Sequence, residues 1–560
     1  MSKSDLRIDI FGIDITISTD EEKEYLNMLL DKYRQTIENV REMSGLEDHL
    51  KLAVLTGFLL CDDLEKAVNG EAKDRMTGEA EKLTLGMISR LDEVLKASET
   101  TVSDYAAEKA PETTVSSPVV SDDADPESGK GIKNVPLSVY KLENTVKNYD
   151  WGSPEWLPAF LGRKNLSRIP WAELWMGVNP SGPSRVISDS CPLSELIGRD
   201  PPAFLGKETA GKYGTLPFLF KILAAAKPLS IQVHPNAEQA QEGFERENRE
   251  GIPQDAANRN YRDANEKSEI VCALGPFAAL CGFRKVEEIT LLMDILLLNA
   301  GSEGSGLRDA IEDLVLALKQ GEGTDGSPDN SALRNFLSAL FALKRETLLA
   351  LGSYIRLIQT QLEKDFPEYR NEWYLCTYFA SLHPGDAGII APLYLNIVDL
   401  SPEEAIYIPA GTPHAYINGM GIELLSDSDN VLRGGLTSKH IDHAELMKIM
   451  NYSEYMPEIM RPPESSETKF PSPTPLYNYP AGEFALSVMR GSGADLPYMD
   501  PGPSILIVTE GSAVVDEGVA VASEGGEMPL KKGESVFIPA GKKAVFSGAF
   551  TAYVASCRSS

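Results

Sequence analysis

Only six of the 560 residues are histidines, so the setting of each is informative. His234 ends the run Leu229-Ser-Ile-Gln-Val-His-Pro-Asn236, where strand-type alternation puts Gln232 and His234 on one face. His414 lies in Pro409-Ala-Gly-Thr-Pro-His-Ala-Tyr416, at a strand start whose backbone is restricted by Pro and Gly. Glu269, in Asp263-Ala-Asn-Glu-Lys-Ser-Glu-Ile270, offers a carboxylate just ahead of an apolar strand. Two imidazoles, a carboxylate and an amide oxygen suit a borderline cation such as Zn2+, with a position left for water or substrate. The four are far apart in sequence, and taken singly either histidine is more often a hydrogen-bonded structural residue. Lys221 is also out of place, because it stands between Phe220 and Ile222 in an apolar strand rather than on a solvated surface.

The elements that must carry these groups begin near Leu137, where the chain becomes β-rich. Ile406-Tyr-Ile-Pro-Ala-Gly411 recurs as Val536-Phe-Ile-Pro-Ala-Gly541, which predicts duplicated small β-barrels of the cupin type. The first copy continues into Thr412-Pro413-His414 and the second into Lys542-Lys543-Ala544, so a metal is expected in the first only. Leu291, Leu292, Ile295 and Leu296, then Ile311 and Leu314, then Leu333, Phe336, Leu337 and Leu340 follow helical spacing, and strand alternation resumes at Leu393. The fold expected is multi-domain and mainly β, with double cupin-type barrels and an inserted α-helical domain. Ahead of it stands a small N-terminal α+β module with long helices. Leu6, Ile8, Ile10 and Ile13, Ile15, Ile17 flank Gly12 as a strand pair, and Leu26, Leu30, Tyr33, Ile37 and Val40 open an amphipathic helix. Helical runs over 52–64 and 83–94 follow. Residues 98–135 have almost no large apolar side chain and are expected to form a flexible acidic linker. The expected divisions are 1–97 for the module, 98–135 for the linker, 136–285 and 383–460 for the catalytic cupin domain, 286–382 for the helical domain and 461–560 for a metal-free cupin-like domain.

Lys plus Arg number 53 and Asp plus Glu 83, a net charge of −30. So acidic a chain excludes nucleic acid and anionic membrane as partners. It also requires that any anionic substrate meet a local cluster of cations, which screening over about 8 Å permits. Cys61, Cys191, Cys272, Cys281, Cys376 and Cys557 are scattered, as free thiols in a reducing compartment are. The N-terminus has no apolar signal core, and the apolar window 289–298 is broken by Asp294. A cytoplasmic protein is expected.

Two resemblances follow from these motifs. Arg7-Ile-Asp-Ile-Phe-Gly-Ile-Asp-Ile-Thr-Ile17, Tyr25-Leu26 and Lys51-Leu-Ala-Val-Leu-Thr-Gly-Phe-Leu-Leu-Cys-Asp-Asp-Leu-Glu65 resemble the ZapA family of small bacterial proteins that dimerise and associate with the cell-division ring. The resemblance implies a self-associating module or one that docks to a division-ring protein. Residues 138–560 resemble the type I phosphomannose isomerases through Asn148-Tyr-Asp-Trp-Gly152, Ala172-Glu-Leu-Trp-Met-Gly177, Leu216-Pro-Phe-Leu-Phe-Lys-Ile-Leu223, Lys227-Pro-Leu-Ser-Ile-Gln-Val-His-Pro-Asn236, Ala279-Leu-Cys-Gly-Phe-Arg284, Gly411-Thr-Pro-His-Ala-Tyr416 and Asp429-Asn-Val-Leu-Arg-Gly-Gly-Leu-Thr-Ser-Lys439.

The second resemblance implies one zinc per chain held by Gln232, His234, Glu269 and His414. It implies Arg433, Lys267 and Glu423 as catalytic residues and Lys221, Ser230, Lys439 and Trp151 as contacts to a small sugar phosphate. The implied reaction interconverts mannose 6-phosphate and fructose 6-phosphate through an enediol(ate). One departure stands out: the family's Asn-His-Lys-Pro-Glu is Asn265-Glu266-Lys267-Ser268-Glu269 here, so Glu266 replaces a histidine. That replacement favours an alternative, a catalytically impaired zinc-binding sensor of sugar phosphates tethered to the division apparatus. No Gly-rich strand–loop–helix occurs, which argues against an added nucleotidyltransferase.

Overall fold

The structure is a computed structural model that describes residues 4–10, 13–19, 36–37, 137–300, 306–320, 331–462, 477, 479–480, 482–516 and 527–558. The chain divides into two compact units, Met1–Lys130 and Gly131–Ser560. In the first, strands Ser4–Ile10 and Ile13–Thr19 pair antiparallel from Ile10↔Ile13 to Ser4↔Thr19, the strand pair expected around Gly12. The helical runs expected through 94, apart from Thr36 and Ile37, and the linker expected over 98–135 lie outside the described residues.

The second unit is built on two antiparallel sheets. The nine-stranded sheet contains β1 (Thr145–Lys147), β2 (Glu173–Met176), β3 (Phe218–Ala225), β4 (Ile231–Val233), β5 (Glu269–Phe283), β6 (Leu395–Leu400), β7 (Ala405–Ile408), β8 (His414–Ser426) and β9 (Leu432–Gly435). Its main path runs β6-β5-β8-β3-β2-β1, with β7 on β5 and β4 joining β8 to β9. β3 is buried along all eight residues, which is why its sequence reads as an apolar run with no alternation. Glu269, at the head of β5, pairs with both Ile408 of β7 and Leu425 of β8, while His414 pairs with Cys281 at the other end. The sheet therefore curls back on itself, with register shifts in β5 between Ala273 and Phe277 and between Leu280 and Phe283.

Gly282 sits within the second shift with φ +71°, and its N–H donates to Pro413 O at 2.9 Å. A Cβ there would overlap the Tyr455 carbonyl oxygen. The bend that sets His414 against the rest of the sheet thus needs a glycine.

Helices α2 (Val286–Asn299), α3 (Gly306–Lys319), α4 (Ser331–Ala342), α5 (Arg345–Asp365) and α6 (Arg370–Leu382) lie in sequence between β5 and β6. Ile289, Leu292, Phe336, Trp373 and Phe379 from these helices share one core with Ile231, Val233, Leu280, Ala415 and Leu432 of the sheet. The helical layer thus packs directly on the strands that carry the candidate ligands. An earlier helix, α1 (Ala237–Arg249), starts at a capping box formed by Asn236 and Gln239 straight after His234-Pro235.

The ten-stranded sheet is mostly C-terminal, from Phe484–Ser492 to Ala549–Cys557. It departs from the expected divisions. Tyr140–Glu143 pairs with Ser535–Ile538, and Arg185–Val186 and Cys191–Pro192 extend the same edge. Segments placed in 136–285 by sequence therefore complete the sheet placed in 461–560. Apolar side chains of both sheets, among them Phe220, Ile222, Phe484 and Tyr553, form one continuous core.

The sequence repeat has a structural counterpart. Gly411 N–H donates to His234 O and Gly541 N–H to Asp500 O, each at 2.8 Å. The pairs His414↔Gln232 and Glu269↔Ile408 match Ala544↔Tyr498 and Ser504↔Ile538. Where the first sheet has Gln232, His234, Glu269 and His414, the second has Tyr498, Asp500, Ser504 and Ala544, with Tyr498 Oη donating to Ser504 Oγ at 2.7 Å. The second copy has lost both imidazoles and the glutamate. Among the described residues five cysteines are free and buried, and no helix is long and apolar enough to cross a membrane.

Gly282→Ala should cost at least about 2 kcal/mol in unfolding free energy, from left-handed strain and backbone overlap. Wild-type stability in urea titrations would show that the turn tolerates a side chain.

Candidate active site

Glu269 is the focus of the site. One carboxylate oxygen lies 3.3 Å from His234 Nε2 and the other 3.4 Å from His414 Nε2. The ligating atoms of the three residues fall within 4.8 Å of one another, and all three are buried. Each imidazole is oriented through its other nitrogen, His234 Nδ1 to Asn430 O at 2.8 Å and His414 Nδ1 to Thr412 O at 3.0 Å. Both Nδ1 atoms therefore carry the proton, and both Nε2 atoms offer lone pairs to the centre. Gln232 is the cross-strand partner of His414 on one side and of Arg433 on the other, so it stands between metal-type ligands and a guanidinium. Two buried imidazoles and a buried carboxylate form a donor set that fits one zinc ion.

The electrostatics agree. Burial, then the Lys267 charge, push His234 down to about 4, so the ring is a neutral ligand at pH 7. Burial works to raise the Glu269 carboxyl, but the Lys267 charge outweighs it and holds the group well below its usual range. Lys267 Nζ stands 2.9 Å from Glu269 Oε1 and 3.4 Å from His234 Nε2.

A second buried row crosses β2, β3 and β8, where Trp175 pairs with Lys221 and Lys221 with Glu423. Lys221 Nζ lies 2.9 Å from Glu423 Oε2 and 3.7 Å from Glu173 Oε1, over the Trp175 ring at 5.2 Å. Tyr416 Oη donates to Glu423 Oε1 at 2.8 Å, and Trp175 Nε1 to Glu173 Oε2 at 2.7 Å. Burial opposes the Lys221 charge, but Glu173 and Glu423 outweigh it and raise the ammonium above its ordinary range. Burial pushes the Glu423 carboxyl up, against the pull of Lys221. Glu173, Trp175 and Tyr416 were not singled out from sequence, although all three lie in quoted motifs and Tyr416 follows His414 by one strand period.

The outer residues are more open. Trp151 stacks on Tyr149 with centroids 5.7 Å apart, and Lys439 Nζ lies 5.7 Å from the Tyr149 ring. Ser230 precedes β4 and is half-buried, and Arg433, on β9, is also half-buried. Glu266 is half-buried, and its charge acts on Tyr407 and Glu483.

Lys221→Met keeps much of the volume but leaves Glu423 and Glu173 buried without their cation. The expected loss is about 3–5 kcal/mol of unfolding free energy in urea. A loss under about 1 kcal/mol would mean that the carboxyls do not depend on it.

Comparison with known proteins agrees with this geometry. Residues 139–286 match the family model for the phosphomannose isomerase type I catalytic domain, and residues 6–98 match that for cell division protein ZapA. Mannose-6-phosphate isomerase of Escherichia coli (strain K12) is 37% identical over 412 residues, covering 72% of this chain and 96% of that protein. The Mus musculus enzyme of the same name is 31% identical over 429 residues, covering 73% of this chain and 95% of its own. The crystal structure of mannose 6-phosphate isomerase from Salmonella typhimurium, bound to its substrate and to zinc, superposes with a TM-score of 0.64 at 33% identity, covering 75% of this chain and all of that one. With the metal-type cluster buried where β4, β5 and β8 meet and relatives matched along nearly their whole length, the chain belongs to the type I mannose-6-phosphate isomerases and carries a ZapA-matching segment ahead of the family's part.

Proposed function

We propose that this chain is a zinc-dependent isomerase that interconverts mannose 6-phosphate and fructose 6-phosphate. The observation that carries the proposal is the buried His234–Glu269–His414 cluster beside Lys267, in a chain that covers 96% of a mannose-6-phosphate isomerase's length. Gln232, His234, Glu269 and His414 hold the ion. When bound, zinc supplies Lewis acidity toward the sugar oxygens.

The isomerisation moves a proton between C2 and C1 and develops negative charge on O1 and O2 in an enediol(ate). Arg433, next to Gln232 in register, presents a planar fork to those oxygens. Lys267 and Glu423, both buried and within electrostatic reach of each other, are the titratable groups that handle the proton. Burial lifts the Glu423 carboxyl toward the working pH, which suits a group that must both accept and return a proton. Lys221 fixes Glu423. Trp151 walls the sugar, and Ser230 and Lys439 bind its phosphate. Glu266, whose charge acts on Tyr407 and Glu483, is given no role in this scheme.

We assign residues 136–285 and 383–460 to the catalytic domain, 286–382 to a helical insertion and 461–560, with the edge strands from 140–192, to a metal-free second barrel. The N-terminal segment, through its match to ZapA, is assigned to self-association or docking on a cell-division protein.

The purified chain should convert mannose 6-phosphate, lose that activity to a zinc chelator and regain it with zinc. A chain holding stoichiometric zinc without turnover would support the sensor alternative instead. Arg433→Lys should retain zinc and fold but lose about 100-fold or more in kcat, because an ammonium cannot face two oxygens at once. A wild-type kcat would make Arg433 structural. Light scattering should show a larger assembly for the whole chain than for residues 131–560, and equal sizes would remove the self-association role.

A further inference from the structure

Arg262 is a third cation, whose charge acts on both Arg433 and Lys439, and no motif singled it out. Its backbone is pinned. The Arg262 N–H donates to Asn430 Oδ1 at 2.7 Å, and the Asp263 N–H to the same oxygen at 3.2 Å. Asn430 is fully buried, its amide donates to Asp263 O and Asn265 O at 2.9 Å each, and its carbonyl accepts from His234. One residue earlier, Tyr261 is 1% exposed, with its N–H on Glu247 Oε2 at 2.9 Å and its hydroxyl on Glu445 Oε1 at 2.8 Å. The segment carrying Arg262 is thus tied to the residue that orients a metal-type histidine, and between those anchors its own side chain is exposed.

Its guanidinium, like that of Arg433, has no hydrogen-bond or ion-pair partner among the described residues, and the Lys439 ammonium has only the face of Tyr149. Burial, then the Arg262 charge, weaken proton binding at Arg433. Burial, then Arg433, and also Arg262 do the same at Lys439. Arg262 acts on Tyr149 as well, so the three cations and the Tyr149–Trp151 stack share one locality. Asp150 and Glu173 pull the other way on Lys439, but neither forms an ion pair with it. In a chain of net charge −30, mutually repelling cations without counterions fit an anion that arrives from solution.

We propose that Arg262 anchors the substrate's phosphate together with Lys439, and that the fixed segment 259–266 makes the site select phosphorylated over free sugar. This rests on the isomerase function proposed above. A dianionic phosphate offers the oxygens that a guanidinium binds in pairs, while Lys439 adds a point charge.

The test is steady-state kinetics of wild type, Arg262→Ala and Arg262→Lys with mannose 6-phosphate, together with competitive inhibition by inorganic phosphate. Arg262→Ala should raise KM and the phosphate Ki together, roughly ten- to hundredfold, with a smaller change in kcat. Arg262→Lys should recover part of both. Zinc content and melting temperature should stay at wild-type values, because the guanidinium holds nothing in the fold. Unchanged KM and Ki in Arg262→Ala, or a fall in kcat alone, would overturn the assignment. A wild-type chain that does not isomerise would overturn the functional reading itself, and a normal wild type beside an unaffected Arg262→Ala would overturn only the role of Arg262.

Discussion

A carboxylate only 2% exposed, as Glu269 is, stays ionised when fixed charges and donors replace the water it has lost. Here the fixed charge is the Lys267 ammonium, 2.9 Å away, with the two imidazoles packed against the carboxylate from other parts of the chain. The demand propagates outward. The imidazoles offer Nε2 only because Asn430 O and Thr412 O take their Nδ1 protons. Asn430 in turn is satisfied by the segment 262–265, so the loop between α1 and β5 is fixed by the same network that fixes a ligand. Cutting any of these links would leave a buried polar group unpaired, which costs more than the bond itself contributes.

The sheet solves this with a bent strand. β5 is fifteen residues long, and Glu269 and Cys281, the residue paired with His414, lie at opposite ends of it. A flat strand would hold such positions about 40 Å apart. Curling, helped by three register shifts and by Gly282, brings the Glu269 carboxylate to 3.4 Å from His414 Nε2. The same curl buries β3 on both faces and forces Lys221 to find Glu423 and Glu173 on neighbouring strands. A site with several ionisable groups thus stands on a rigid sheet, backed by a helical layer that shares its core. Near it the Arg262 charge acts on Arg433 and Lys439, in a chain whose net charge is −30.

The duplicated sheet shows how little separates a ligand cage from a structural core. The turns at Gly411 and Gly541 and the pairings around them correspond, yet Tyr498, Asp500, Ser504 and Ala544 replace the four candidate ligands. A tyrosine hydroxyl bonded to a serine fills part of the space where the first copy gathers charge. The turns and the pairings around them correspond, while the residues at the four matching positions differ.

Much of this was legible from sequence because the cues are local. Strand alternation put Gln232 beside His234, the Pro-Ala-Gly repeat marked equivalent turns, and helical spacing located α2, α3 and α4 between the strands. Lys221 announced itself as a charge inside an apolar run. Local pattern could not show what long-range pairing decides. Glu173, Tyr416 and Asn430 look like ordinary polar residues until tertiary pairing sets them beside Lys221, Glu423 and His234. Nor could it show that Tyr140–Glu143 leaves its neighbours in sequence to complete the C-terminal sheet. The residue types available for chemistry are a property of the sequence, whereas their convergence, protonation and orientation depend on a sheet that curls because its buried charges must be paired.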